Sequence, residues 1–200
     1  MRAKSVTVLS CIFMLFVFGS LMNARAQAGK WSSYFKLKSG QFFKYQMKSE
    51  RGLAGWASIK IDDAGGGALN VTLAGRWTKD FSETVRMKPG MSAFDFIYAA
   101  KDMQITNALA GLVNVEASVI ENAQWKDGFK WAQGDSSIVV SGQKECAGVK
   151  GLCATSSSKS FGRAQKRTYC VNPDLPLPIF VEVPAANDTW TYELVEKKGV

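Results

Sequence analysis

Ser92–Ala110, SAFDFIYAAKDMQITNALA, carries helical periodicity, while the stretches on either side alternate with the period of strands. A chain with one helix among many strands has few ways to bury that helix. With Phe94 at zero and about 100° per residue, Phe94, Ile105, Tyr98, Leu109, Ile97 and Ala108 share one wide face. Lys101 falls on that face, its stem expected to lie along apolar surface with the ammonium in water. Ala99, Met103, Phe96 and Ala110 form a second apolar strip roughly opposite. A helix apolar on two sides needs partners on two sides, which a bent sheet supplies and a flat one does not. The expected fold is therefore mainly β (α+β): a curved antiparallel sheet or incomplete barrel wrapped around one central helix at about 92–110. Ser92 is the expected N-cap, with Asp95 in the first turn. Pro89-Gly90 ends the preceding strand, and Gly111 is the expected stop.

The strands are read from alternation. Ser33–Lys48 reads as two pieces joined at Ser39-Gly40, with Phe43, Tyr45 and Met47 facing one way. Trp56–Asp62, Leu69–Ala74 and Phe81–Met87 complete a meander of about four antiparallel strands, each with one wet face. After the helix, Leu112–Ile120 alternates again. WKDGFKW, Trp125–Trp131, carries Asp127-Gly128, a two-residue hairpin signal that would bring its tryptophans together. Ser136–Glu145 reads as a strand and Gly148–Gly162 as a long loop, with Arg163–Arg167 a solvated basic cluster, the alternative being weak attraction to anionic lipid or polymer. NPDLPLP, Asn172–Pro178, is extended and excluded from a central strand. Ile179–Val183 and Thr189–Val195 form a closing hairpin.

The first residues read as a secretory leader: Arg2 and Lys4, an apolar run over Val6–Met22, and Ala24-Arg25-Ala26 as the cleavage signal. The expected organisation is a signal peptide over 1–26 and a single β-rich domain over 27–200. Without the leader's three basic residues, the net charge of +8 falls to +5, a mild surplus. Cys11 lies inside the apolar run, without the context of a lipid-attachment cysteine. No later stretch is long and apolar enough for a helical span, so an exported, periplasmic or extracellular protein is expected.

Export places Cys146, Cys153 and Cys170 in an oxidising compartment, where a disulfide is the default. Sequence does not fix the pair. Cys146–Cys170, stapling two strand ends, is preferred to Cys146–Cys153, which closes a short loop. The leftover thiol is either buried or a tether to another chain.

The chain contains no histidine. That removes Ser-His and Cys-His pairs, histidine bases and the common zinc and copper sites. No G-x-S-x-G or phosphate-loop motif is present. No catalytic residue, metal site or cofactor is expected, and the chain reads as non-enzymatic. Asp62-Asp63, in a Gly-rich turn, reads as two solvated carboxylates. Six tryptophans, Trp31, Trp56, Trp77, Trp125, Trp131 and Trp190, read as sheet core, with some lining an apolar mouth. A nucleic-acid platform is not expected behind an export leader.

The closing stretch, TYCVNPDLPLPIFVEVP followed by DTWTYELVE, together with the order of leader, meander, helix and strands, resembles the periplasmic lipoprotein-carrier-like superfamily. The resemblance implies an incomplete barrel closed by helices around an apolar cavity. The functional expectation is an envelope protein binding a lipid or other apolar small molecule between sheet and helix. Phe94, Tyr98, Ile105, Leu109, Phe43 and Tyr45 are the candidate cavity residues. The alternative is a structural or interaction protein with a fully packed core and an envelope protein partner.

Overall fold

The computed structural model describes residues 29–113, 115–160, 163–185 and 188–200. The expected leader and its cleavage site lie outside them. Alternating side chains build strands β1 (Phe42–Ser49), β2 (Ala54–Asp63), β3 (Leu69–Arg76) and β4 (Asp80–Met87). Helices α1 (Ala93–Ala99), α2 (Met103–Val113) and α3 (Ala117–Asn122) follow. Strands β5 (Lys130–Gln133), β6 (Ser136–Cys146), β7 (Val149–Ser160), β8 (Arg163–Val171), β9 (Phe180–Ala185) and β10 (Asp188–Lys198) complete the chain. All pair antiparallel in one ten-stranded sheet of order β4-β3-β2-β1-β10-β9-β8-β7-β6-β5. The sheet is an open one: among the described residues, its outer strands β4 and β5 do not pair with each other.

The first and last strands lie side by side at its centre, from Phe42 opposite Lys198 to Ser49 opposite Trp190. Two irregularities bend the sheet, at Lys44/Tyr45 in β1 and between Val140 and Gln143 in β6. The second holds Gly142 at φ 78°, a conformation glycine adopts without steric cost. One face of each strand turns inward: Phe43, Tyr45 and Met47 of β1, Ile59 and Ile61 of β2, Tyr192 and Leu194 of β10 are all buried. The helices lie against this concave side, where Ile105, Ala108, Leu109, Leu112 and Val113 of α2 present a 3-4 spaced apolar stripe.

The expected single helix is two. Ser92 caps α1 as expected, accepting from Asp95 N while Asp95 accepts from Ser92 N. Ala100 then turns extended, at φ −71°, ψ 129°. The Glu83 carboxylate of β4 accepts from the backbone N–H of Lys101 and of Asp102, at 3.0 and 3.2 Å. Asp102 restarts the helix as a cap, its Oδ1 accepting from Gln104 N at 2.8 Å. The interruption changes the phase of the buried face by roughly a third of a turn or more relative to a continuous helix. Phe96 and Ile97 are buried in α1, whereas Phe94 and Tyr98 stand outside at 57% and 71% exposure. Lys101 lies in the break instead of on a helix face, and Gly111 is inside α2 instead of ending it.

Other expectations change for related reasons. Leu112–Ile120 is the end of α2 and the start of α3, its valines buried without strand pairing. Helix packing overrides the β-propensity of Val113 and Val119. Ser32–Phe35 forms a turn, and Trp31 is buried, its indole N–H donating to Leu175 O at 2.7 Å. Trp125 packs on Trp31, ring centres 6.1 Å apart, so Trp125 and Trp131 do not form the expected cross-strand pair. The hairpin between β5 and β6 turns at Gly134-Asp135 instead of Asp127-Gly128. Gly148–Gly162 is largely strand β7, and the basic cluster Arg163–Arg167 lies in β8.

The register of β7 and β8 places Cys153 directly opposite Cys170, and these two form the disulfide. The preferred Cys146–Cys170 pair is overturned: Cys146 is a free, buried thiol, and its pKa is raised by that burial. Closing a loop of this length contributes on the order of 3 kcal/mol. No described helix is long and apolar enough to cross a membrane.

Candidate functional site

The inward side of the sheet is best followed along its cross-strand rows. One row runs Met47–Tyr192–Val181–Tyr169–Ala154, from β1 through β10, β9 and β8 to β7. Helix α2 rests on it, and its side chains are buried. The approach is close because position 111 is glycine: a Cβ there would sit 2.7 Å from Tyr192 Cε2. The next row begins Ser49–Trp190–Val183 and continues to Arg167 and Ser156 on β8 and β7. Helix α2 does not fully cover this row. A groove of about 370 Å³ opens there, walled by Asn107, Ala110 and Gly111 of α2 and floored by Trp190, Val183, Pro184, Tyr192 and Arg167. The volume is at the small end for ligand sites.

Trp77 closes the far side. It sits in the β3–β4 turn, which Thr78 ties to α2 by donating to Gln104 Oε1 at 2.7 Å. The turn therefore reaches over the sheet, and Trp77 stacks on Trp190 with ring centres 3.9 Å apart. Offset stacking of this kind adds about 0.5–1.5 kcal/mol beyond area burial.

At the other side of the groove is the one charged side chain on its wall. Arg167 Nη1 lies 3.3 Å from Glu116 Oε1, at the α2–α3 junction, and Nη2 donates to Gln165 Oε1 at 3.4 Å. Nε is buried without an acceptor. On the neighbouring strand, Ser156 Oγ is also buried without a hydrogen-bond partner, while the buried Tyr169 hydroxyl interacts with Arg167 and the Glu116 backbone. Burial raises the Tyr169 pKa, opposed by the Arg167 charge and by hydrogen bonding to Arg167 and the Glu116 backbone, and reinforced by the Glu116 charge. Burial also raises the pKa of Tyr192. Tyr34, whose hydroxyl donates to the Val113 carbonyl, is pushed up to about 12, chiefly by burial.

The six residues expected to line a cavity divide differently. Phe43, Tyr45, Ile105 and Leu109 meet in the packed core, each at most 1% exposed. Tyr45 is anchored there by donating to Pro178 O at 2.9 Å, and burial raises its pKa. Phe94 and Tyr98 pair with each other on the outer surface of α1, ring centres 4.7 Å apart. None of the six lines the groove. Of its lining, Trp77 and Trp190 are among the aromatics singled out in the sequence and Arg167 belongs to the basic cluster read there as solvated, whereas it is partly buried on the groove wall; Tyr192 is not singled out. The shared inward side of Trp190 and Tyr192, two apart on β10, was a readable signal. A second, larger groove of about 520 Å³ lies between the loops around Phe35 and Pro89, the start of α1 at Ala93, and Leu69 and Met87 at the ends of β3 and β4. Among the described residues no group of three or more His, Cys, Asp or Glu side chains is placed to hold a metal ion.

No family model matches the chain, and no curated protein matches it. Among solved structures, the chain is similar to the crystal structure of the hypothetical lipoprotein YmcC from Escherichia coli K12, at 12% identity over 98% of each chain, with a TM-score of 0.33.

Proposed function

We propose that this is an exported, non-catalytic protein of the cell envelope that binds a lipid or other apolar molecule in the groove between α2 and the inner face of β9 and β10. The observation that carries the reading is the groove itself: an open space at the helix–sheet interface, floored by Trp190, Val183 and Tyr192 and closed by Trp77. Stacked aromatics beside a glycine-thinned helix offer flat apolar surface to an acyl chain or ring. Export is supported by the leader-like start of the sequence and by the Cys153–Cys170 disulfide, a bond that persists in oxidising compartments.

The test is organic extraction of the purified protein followed by mass spectrometry, with titration of an apolar naphthalene probe followed through tryptophan quenching. A co-purifying acyl species, or a probe that quenches Trp77 and Trp190 and is displaced by fatty alcohol, supports the reading. An empty extract with no probe binding overturns it. A second reading, an interaction protein with a filled core, is favoured by the tight burial of Phe43, Tyr45, Ile105 and Leu109 and by the exposed Phe94–Tyr98 pair. An empty groove together with a partner lost on Phe94→Ser substitution would select it.

A further inference from the structure

We propose that Arg167 makes this groove selective for amphiphiles carrying an anionic headgroup, a carboxylate or a phosphate monoester, with the chain lying against Trp190 and Trp77; the inference rests on the groove being the ligand site. Arg167 is the one charged side chain on the groove wall, and its donors are poorly used. Its two contacts, to Glu116 and Gln165, are 3.3 and 3.4 Å long, and Nε meets no acceptor. A guanidinium is a planar fork matched to two oxygens of one oxyanion. The side chain keeps 29% exposure, so the fork is reachable from the groove.

A second observation points the same way. Ser156 is the cross-strand partner of Arg167. It is 1% exposed, and its hydroxyl has no hydrogen-bond partner. The Arg167 guanidinium on the groove wall and the Ser156 hydroxyl buried behind it are therefore both short of acceptors, against a single carboxylate, Glu116. Such a buried excess of donors costs stability unless an acceptor arrives. Glu116 balances the guanidinium charge when the groove holds no anion, and an anionic headgroup competes with it for Arg167.

If the Arg167–Glu116 pair only tied the α2–α3 junction to β8, removing either partner would have the same effect, and the headgroup would not matter. Competition makes the two substitutions act in opposite directions. The experiment measures displacement of the naphthalene probe by dodecanoic acid, dodecyl phosphate and dodecanol. The protein, Arg167→Gln and Glu116→Gln are compared, with circular dichroism confirming the fold of each. The expected result is that the unsubstituted protein prefers one or both anions to the alcohol by about tenfold. The better anion identifies the headgroup. Arg167→Gln brings the anions to the alcohol's affinity, and Glu116→Gln tightens the anions. Equal affinities in the unsubstituted protein overturn the inference while leaving the groove as an apolar site. So does a preference that survives Arg167→Gln, or a Glu116→Gln variant that weakens the anions as Arg167→Gln does. Binding of none of the three overturns the groove reading, and this inference with it.

Discussion

Gly111→Ala tests how α2 is seated. In an open helix the substitution stabilises by about 1 kcal/mol, because alanine loses less backbone entropy. Here the new methyl would lie 2.7 Å from Tyr192 Cε2 and 2.8 Å from Cζ, against an optimal carbon–carbon separation of about 3.5–4.0 Å. Helix or ring must move by close to an ångström. The ring cannot swing into solvent, being 3% exposed and flanked on its row by Met47 and Val181. Overpacking of this kind costs about 1–3 kcal/mol. The two contributions leave a net loss of about 1 kcal/mol, read as a lower urea midpoint at unchanged slope. In a Tyr192→Leu background the obstacle is gone and only the propensity gain remains, so the same substitution should stabilise by about 1 kcal/mol. The cycle then gives a coupling of about 2 kcal/mol. Gly111→Ala stabilising equally in both backgrounds would refute the close seating of α2 on Tyr192.

Three further outcomes are expected. Ile105→Ala should cost about 2–5 kcal/mol and Phe94→Ala less than about 0.5 kcal/mol, compared by denaturant unfolding; similar losses would reverse the assignment of inner and outer helix faces. Glu83→Ala should lose about 1–3 kcal/mol and speed amide exchange at Lys101 and Asp102, whose N–H groups it accepts; unchanged exchange would remove Glu83 from the helix break. Burial raises the tyrosine pKa values of Tyr34, Tyr45, Tyr169 and Tyr192, so their contribution is fully present below the unfolded pKa of about 10 and is lost as pH rises toward the folded values. For Tyr34 the loss falls between about pH 10 and the folded value of about 12, and amounts to about 2–3 kcal/mol. Alkaline unfolding with steep phenolate absorbance is the expected signature, and gradual titration of a folded protein would contradict it.

The meander was legible because β1 to β4 each bury one side against one core, so Phe43, Tyr45 and Met47 announce themselves by period two. Strand β7 was not, for a packing reason. Its inward Ala154 and Ser156 are small because they face the large Tyr169 and Arg167 across the ladder, so it carries no apolar signature. The missed strand also hid the disulfide, which follows from register alone. The helix break was announced locally by Asp102, a good cap just before Met103, but the near-continuous apolar faces of the stretch outweighed it. The groove was least legible, since Trp77, Gly111, Arg167 and Trp190 come from four separate parts of the chain. Only the topology brings them together.

The pairing of β1 with β10 has a consequence for how the molecule comes into being. The central position of β1 can be completed only by β10, far along the chain, from Trp190 opposite Ser49 to Lys198 opposite Phe42. A chain emerging N-terminus first can zip β1 to β4 into a hairpin stack, yet one flank of β1 stays unsatisfied until β10 has emerged. Such a raw flank is adhesive toward any other extended polypeptide. Joining the two half-sheets is thus a late event of very long sequence reach, slow by nature, and a chain without β10 would be left with two β-halves and no seam.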